Sequence, residues 1–272
     1  MPTMPLDDAI AFSSTTESSP SSITHTWPVP DSWHQGRGAF GGLTLAALVR
    51  AMDSGVKAQD QKIRSLTATI CGPVAAKEAT IRVDILREGS STTAIEARVI
   101  QDDEVKTHAV AFYGRTRNPE DTWRTTKAPD MPDWREFTKL PMVPPISPEF
   151  TQHFEFRAIK HLPLSGAEAC ESEGYIKIAE PPALADAAWL TAHMDAWWPS
   201  FWAKTPVPRP MATVAFTMQF LTDYEDIDLN VPLRFTAHSP EAHDGYSVEF
   251  RELWTLDGRL LATNQQTFTI IK

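Results

Sequence analysis

A carboxylate set among large aromatic side chains is the first feature of this sequence that could do chemistry. Asp195 lies between Trp189 and the pair Trp197 and Trp198. Apolar surroundings disfavour the ionised form of a carboxyl group and make it more basic, unless hydrogen-bond donors hold the charge. Asp195 is therefore a candidate base that takes a proton from water. It is equally a candidate structural residue that accepts from a backbone amide.

Two neutral polar side chains in predicted strands could orient a water without a competing charge. Gln266 lies in an otherwise apolar strand, where a glutamine must find hydrogen-bond partners. It follows Gln265, so the two-residue period of a strand points one of the pair inward, and the register decides which. Thr213 has an ordinary explanation as well, because threonine is common in strands.

Two histidines and a pair of glycines are further candidates, each with a structural alternative. His34 and His193 could exchange protons, although a lone histidine is more often a satisfied core or surface residue. The amides of Gly41 and Gly42 could hold an oxyanion or a phosphate, or the glycines could simply allow close backbone approach. No serine or cysteine lies in a nucleophile motif, which favours direct attack by water over a covalent route.

Two segments are apolar on nearly every face and predict helices that other structure must wrap. The first covers residues 43–52 and the second covers 183–198. Two prolines precede the second helix, where proline is tolerated, and Pro199 disfavours its continuation. Where the second helix carries Asp195, the first offers only aliphatic and small residues.

Alternation of apolar and polar residues predicts antiparallel strands around each helix. In both halves, strand structure is followed by the buried helix and then by four strands. Asp-Gly pairs at 244–245 and 257–258 add turn signals. The predicted strands are residues 22–27, 63–70, 79–87, 92–101 and 105–113 in the first half, and 154–159, 174–179, 212–221, 229–238, 246–256 and 260–271 in the second.

An internal repeat indicates more about a fold than any single motif. We predict an α+β double hotdog, with two repeats that each have a central buried helix wrapped by a curved antiparallel sheet. A pair of unrelated α+β domains is the alternative. The predicted division is a flexible arm over residues 1–20, an N-terminal hotdog over 21–115, a proline-rich linker over 116–148 and a C-terminal hotdog over 149–272 that carries the candidate site.

Composition excludes several classes of function. The formal net charge is −10, so no sequence-wide basic field could hold nucleic acid or an anionic membrane. Cys71 and Cys170 make neither a disulfide framework nor a metal cluster, and we predict no metal and no cofactor. The chain start lacks a basic-then-apolar signal pattern, and no apolar run approaches the ~20 residues of a membrane span. A cytoplasmic protein is therefore expected.

The chain resembles the double-hotdog acyl-CoA thioesterases of the thioesterase II type and their thioesterase-like relatives. The resemblance covers about residues 25–272, and the order and spacing of short motifs make it fairly specific. The motifs are Ala39-Phe40-Gly41-Gly42, Gly72-Pro73, Leu86-Arg87-Glu88-Gly89, Met194-Asp195, Met211-Ala212-Thr213 and residues 257–262 running on to Gln266.

The resemblance implies a hydrolase that cleaves the thioester of an acyl-CoA, or of an acyl-carrier protein, with an activated water. In the family an aspartate, a threonine and a glutamine of the second hotdog hold this water, and they fall on Asp195, Thr213 and Gln266. We also expect a homodimer with no nucleic-acid or membrane partner. The residues expected to bind substrate are Phe40, Gly41, Gly42, Trp197 and Trp198.

Two other functions stay open at this point. A protein of this fold could bind an acyl ligand without turning it over. A hotdog hydratase or dehydratase ranks below the binding protein. Such enzymes need an aspartate and a histidine at short spacing that form a dyad, and the residues here do not form one. His193 and Asp195 are two residues apart, so on a helix they point about 200° from each other.

Overall fold

A computed structural model describes residues 4–117, 120, 122–207, 209–221, 223–224 and 226–271. Residues 1–3 of the expected arm lie outside the described residues. So do 118, 119 and 121 of the expected linker, together with 208, 222, 225 and 272 of the expected second hotdog.

The elements follow one another in the predicted order. The additions are a short helix and a strand at the start, a small two-stranded hairpin before the first buried helix and a short helix after the second. The elements are α1 (Leu6–Ala9), β1 (Ser14–Ser19), β2 (Ser22–Pro28), β3 (His34–Gln35), β4 (Gly38–Ala39), α2 (Gly41–Ser54), β5 (Gln61–Ile70), β6 (Glu78–Glu88), β7 (Thr92–Gln101), β8 (Glu104–Arg115), β9 (Phe154–Lys160), β10 (Glu171–Ile178), α3 (Ala187–Ala196), α4 (Phe201–Lys204), β11 (Met211–Phe220), β12 (Leu233–His243), β13 (Tyr246–Trp254) and β14 (Leu260–Ile270).

One twelve-stranded antiparallel sheet carries both halves of the molecule. Its strand order is β1-β2-β6-β7-β8-β5-β11-β14-β13-β12-β10-β9. The first strands after the two helices, β5 and β11, pair with each other and join the halves. The helices α2 and α3 pack together, and every residue of α2 from Gly42 to Val49 is buried. Two buried helices against one antiparallel sheet confirm the predicted α+β double hotdog.

The two halves repeat in register as well as in order. Thr67 of β5 pairs with Thr217 of β11, and the neighbouring pairs are arranged symmetrically about them. Each strand has one bulge against the last strand of its own half, after Ile63 in β5 and after Thr213 in β11. Ile63 of the first half is therefore the equivalent of Thr213 in the second.

The second helix is shorter than the predicted 183–198. It begins late because Asp186 is its N-cap and accepts from the backbone N–H of Trp189 at 2.7 Å. It ends early because Trp197 is extended, with ψ at 146°, and because Pro199 disfavours helical backbone in the residue before it.

Residues 4–19 differ from the loose arm expected over 1–20. The helix α1 buries Leu6 and Ala9, and Ile10 follows them into the core. The strand β1 then pairs with β2 at the edge of the sheet, with all its residues exposed. Leu6, Ala9 and Ile10 have the spacing of one helical face, a signal that the Ser/Thr-rich composition of the segment obscures.

The described part of the linker lies along the second half as irregular chain with a short 3-10 turn over Trp134–Glu136. The N–H of Leu140 donates to the carbonyl of Phe156 at 2.9 Å. Arg234 donates to the carbonyl of Pro129 at 3.3 Å. Trp123, in contrast, is 77% exposed. The boundaries proposed for the linker and the two hotdogs stay a prediction.

Candidate active site

Asp195 lies where the end of α3 meets the start of α2. The backbone N–H of Gly42, in the first turn of α2, lies near the Asp195 carboxylate and favours its charged form. A Cβ at Gly41 would lie 2.8 Å from Asp195 Oδ2, so the glycine permits this close approach. The N-cap of α2 is Phe40, which makes no side-chain cap. Asp195 therefore supplies an acceptor from the neighbouring helix and meets the positive end of the α2 dipole.

Gln266 and Thr213 form a hydrogen-bonded chain that ends on Asp195. Gln266 is fully buried and its neighbour Gln265 is exposed, so Gln266 is the inward member of the pair. Its Nε2 donates to Asp195 Oδ1 at 3.0 Å, and the Thr213 hydroxyl donates to its Oε1 at 3.1 Å. The structure thus brings together the three residues predicted as catalytic, one each from α3, β11 and β14.

Burial is the largest cause that raises the pKa of the Asp195 carboxyl, from 3.8 to about 6. The charge of Glu249 adds to the rise, whereas Arg251, Gln266 and the Gly42 N–H favour the carboxylate and limit it. Asp195 as a residue is only partly buried. With a pKa of about 6 the group is ionised at neutral pH and is more basic than an ordinary aspartate, as a base that takes a proton from water requires.

A buried ion pair on β13, Arg251 with Glu249, contacts the end of α3 and is not among the residues predicted from the sequence. Arg251 Nε donates to Glu249 Oε1 at 2.6 Å, and Arg251 Nη1 donates to the carbonyl of Met194 at 3.0 Å. Glu249 Oε2 accepts from the backbone N–H of Ser200 at 2.6 Å and from its hydroxyl. Glu249, Arg251 and the buried Leu253 lie at alternate positions of β13 and so share its inward face. This alternation with an apolar residue is a sequence signal that the two charged residues are buried.

The aromatic residues predicted to bind substrate divide between the site and the core. Phe40 is buried at the start of α2, where its ring stacks on Phe150 at 4.0 Å. Trp197 turns into the core and stacks on Phe235 at 4.8 Å. Trp198, partly buried, lies 4.5 Å from the Trp197 ring. Phe40 thus shares the start of α2 with Gly41, Gly42 and Asp195. A substrate-binding role for Phe40, Gly41, Gly42, Trp197 and Trp198 stays a prediction.

The two candidate histidines have different surroundings. His193 Nε2 accepts from the N–H of Ile178 at 3.1 Å, so its Nδ1 donates to the carbonyl of Trp189 at 2.9 Å. Burial lowers the pKa of His193 to about 4. With both ring nitrogens bonded to backbone, His193 is a neutral core residue. His34 Nδ1 lies 3.5 Å from Asp31 Oδ1.

The first helix does end in a carboxylate, contrary to the expectation of only aliphatic and small residues there. Asp53 accepts from the hydroxyl of Tyr113 at 2.7 Å, and burial raises the pKa of Asp53 to about 6. The positions equivalent to Thr213 and Gln266 are Ile63 and Ala111. Asp53 therefore has no counterpart of the Thr–Gln chain.

The described part of the chain contains neither a metal-binding cluster nor a membrane-spanning helix. No group of three His, Cys, Asp or Glu side chains there could hold a metal ion. No described helix is long and apolar enough to cross a bilayer.

The buried helix pair, the continuous sheet and the polar cluster at one helix junction define a double-hotdog protein. A conserved hotdog-fold protein of unknown function from Alicyclobacillus acidocaldarius is 27% identical, with a TM-score of 0.86 and 99% of each chain covered. An acyl-CoA thioesterase II from Mycobacterium marinum is 14% identical, with a TM-score of 0.75 and 98% of each chain covered. The dehydratase domain of a curacin polyketide synthase is 10% identical, with a TM-score of 0.57 and 97% of this chain and 99% of that domain covered. The fold by itself therefore does not select a reaction.

The sequence comparison is more specific than the fold. Residues 29–114 match the acyl-CoA thioesterase N-terminal domain, and residues 119–270 match the acyl-CoA thioesterase C-terminal domain. The chain belongs to the acyl-CoA thioesterase family, as the resemblance predicted. A comparison with curated proteins finds no match.

Proposed function

We propose that the protein hydrolyses the thioester of an acyl-CoA, or of an acyl group on a carrier protein, with a water that Asp195 activates. The observation that carries this proposal is the chain of hydrogen bonds from Thr213 through Gln266 to Asp195 at the start of α2. Membership of the acyl-CoA thioesterase family supports the substrate class.

In the proposed reaction Asp195 is the base, because the amide of Gln266 and the hydroxyl of Thr213 are neutral and do not accept a proton readily. A water oxygen forms a bond to the thioester carbonyl carbon while Asp195 takes the water proton. The C–S bond then breaks, and the thiolate leaves with the proton from Asp195. The first-turn amides of α2 carry the partial positive charge that stabilises the developing oxyanion.

Hydrolysis of a panel of thioesters, followed by detection of the free thiol, tests the proposal. The panel contains acyl-CoAs of several chain lengths, aromatic acyl-CoAs and an acyl-carrier protein. Asp195→Asn keeps the size of the side chain and removes the base, so kcat should fall on the order of 10²-fold or more. Full activity in this variant contradicts the proposal. A purified protein that holds a bound lipid and turns over no thioester is instead a binding protein.

Gln266→Leu removes the donor to Asp195 and should lower kcat by about tenfold or more. Gln265→Leu is the matched control, because the neighbouring glutamine is exposed and lies on the opposite face of the same strand. Equal rates in the two leucine variants count against the proposed role of the chain of hydrogen bonds.

The compartment and the oligomeric state belong to the same proposal. Both cysteines are unpaired, which suits a reducing compartment such as the cytoplasm. A homodimer remains our expectation, and light scattering on the eluted protein would then give twice the chain mass of 30.3 kDa.

A further inference from the structure

Four inward positions of the sheet are apolar in the first half and polar in the second. Relative to the bulges, Ala111 and Gln266 occupy the same place on the last strand of each half. On the neighbouring strand, Ile95 is the cross-strand partner of Ala111 and Glu249 is the partner of Gln266, so Ile95 and Glu249 also correspond. The buried residues Ile95, Ala97, Ala109 and Ala111 of the first half correspond to Glu249, Arg251, Asn264 and Gln266 of the second.

The fold does not require charges at these positions, because the first half packs with Ile95 and Ala97 there. Burying an ion pair carries a large desolvation cost, and an apolar pair of similar volume is often as stable or more stable. Glu249 and Arg251 are 0% and 1% exposed, respectively. The second half therefore keeps a costly pair beside the site. Glu249 lies opposite Gln266 on the neighbouring strand, and Arg251 bonds to the end of α3, which points to a role in the site.

Arg251 is held from several directions. Glu249 accepts from its Nε at 2.6 Å, and its guanidinium lies between the rings of Phe235 and Phe268, 5.7 and 5.6 Å from their centres. Its Nη1 donates to the carbonyl of Met194, the residue directly before Asp195. Because these contacts hold the guanidinium in one position, its hydrogen bond to Met194 also holds the last turn of α3 in place.

We propose that Arg251, clamped by Glu249, is a positioning residue that holds the last turn of α3 and offsets the negative charge of Asp195. The inference rests on the proposed function in one respect, that Asp195 acts there as the base.

Among the described residues, Arg251 is the source of positive charge near Asp195, because the other groups around the carboxylate are neutral or negative. From α2 the carboxylate meets the first-turn backbone of Gly41 and Gly42, and this helix carries no charged side chain before Arg50. From β11 and β14 it meets neutral side chains. From β13 it meets the field of Glu249 and Arg251, and on α3 the nearby His193 is neutral and bonded elsewhere.

The test replaces the pair by neutral side chains of similar size, Arg251→Met with Glu249→Gln, so that no lone charge is left buried. The matched control is Arg98→Met with Glu96→Gln, a pair of the same spacing that faces outward and whose Nη2 to Oε1 distance is also 2.6 Å. Carbon-13 NMR of the aspartate carboxyls, assigned with Asp195→Asn, measures the Asp195 pKa without any substrate.

We expect the Asp195 pKa to rise by about one unit in the Arg251→Met/Glu249→Gln variant and to stay unchanged in the control pair. At pH 6 such a rise lowers the ionised fraction, and with it kcat, by about fivefold, whereas KM stays constant because Arg251 is buried. Arg251→Lys keeps the charge and should restore the pKa. An unchanged pKa in a folded double variant overturns the proposal.

Folding of each variant is checked by its thermal transition. If the double variant does not fold, Glu249→Gln alone replaces it. Loss of the negative charge beside Arg251 should lower the Asp195 pKa, and an unchanged pKa overturns the proposal. The NMR titration decides the role of Arg251 even if the protein hydrolyses no thioester, and the rate of Asp195→Asn decides the proposed function separately.

Discussion

At the scale of single residues, a pKa of about 6 means that Asp195, the proposed base, gains or loses its charge within the range of pH in which rates can be measured. The carboxylate must be ionised to take a proton, so kcat/KM should rise about tenfold per pH unit below pH 6 and level off above pH 7. Initial rates on a neutral acyl thioester between pH 4.5 and 8.5 measure this profile. A rate that stays constant from pH 5 to 8 contradicts Asp195 as the base.

The same carboxyl should cost the folded protein stability when it is ionised. Its folded pKa of about 6 lies above the ordinary value of 3.8, so the folded state binds the proton more tightly than the unfolded state. The stabilisation is present below pH 4 and is lost as the pH rises through 6. Asp195→Asn should therefore stabilise the protein at pH 8 by up to about 3 kcal/mol, and by much less at pH 4.

Thermal unfolding at both pH values measures this effect. Asp102→Asn is the control, because Asp102 lies on a surface turn and pairs there with Lys77. A lower Tm for Asp195→Asn at pH 8 argues against a carboxylate whose desolvation destabilises the folded state. A gain in stability together with a loss of rate would indicate a side chain kept for function and not for folding.

Residue types alone predict part of the site. An aspartate among tryptophans and a glutamine in an apolar strand both conflict with their surroundings, so both stand out. Glu249 and Arg251 do not stand out, because they alternate with Val248 and Phe250 and read as the solvent face of the strand. Phe250 in fact faces outward, and among the neighbouring residues the alternation with buried Leu253 is the signal that the charged residues face inward.

At the scale of elements, the contact between the end of α3 and the start of α2 depends on glycine. A Cβ at Gly42 would lie 2.3 Å from the Phe40 ring and 3.0 Å from Asp195 Cβ. Phe40 cannot move away easily, because it is buried against Phe150. Gly42→Ala should therefore cost about 1–3 kcal/mol of stability and should lower kcat by displacing Asp195.

Gly72→Ala is the matched control for this change. A Cβ there would meet only the side chain of Lys106, at an ordinary distance of 3.7 Å. Urea unfolding and thioester hydrolysis of both alanine variants make the comparison. A Gly42→Ala protein with unaltered stability and rate contradicts the close packing of the two helices at this point.

The element boundaries show what sequence patterns specify and what they leave open. The strand predicted over 229–238 runs over Leu233–His243 instead. It begins after Pro232, which lacks a backbone donor, and it continues past Pro240 because the ladder is irregular there, between His238 and Glu241. Alternation predicts that a strand exists, whereas its ends depend on pairing with β10 and β13, which a local pattern does not contain.

At the scale of the whole molecule, the repeat predicts the architecture but not the division of labour within it. Both helices end in a partly buried carboxylate with a raised pKa, Asp53 in α2 and Asp195 in α3. Only Asp195 meets the start of the other helix without a competing cap. At the opposite junction the α3 N-terminus is capped by its own Asp186, which also binds Arg50 at 2.6 Å.

This asymmetry predicts one active site in each chain. Asp53→Asn can still accept from the Tyr113 hydroxyl, so hydrolysis should remain within about twofold of the wild type, whereas Asp195→Asn should lose about 10²-fold or more. Titration with a non-hydrolysable acyl-CoA analogue should give one bound ligand per 30.3 kDa chain. Two ligands per chain, together with a large loss of rate in Asp53→Asn, would mean that the first half kept a working site. One ligand, lost only when the second half is altered, would mean that duplication left the first hotdog as the support for the second.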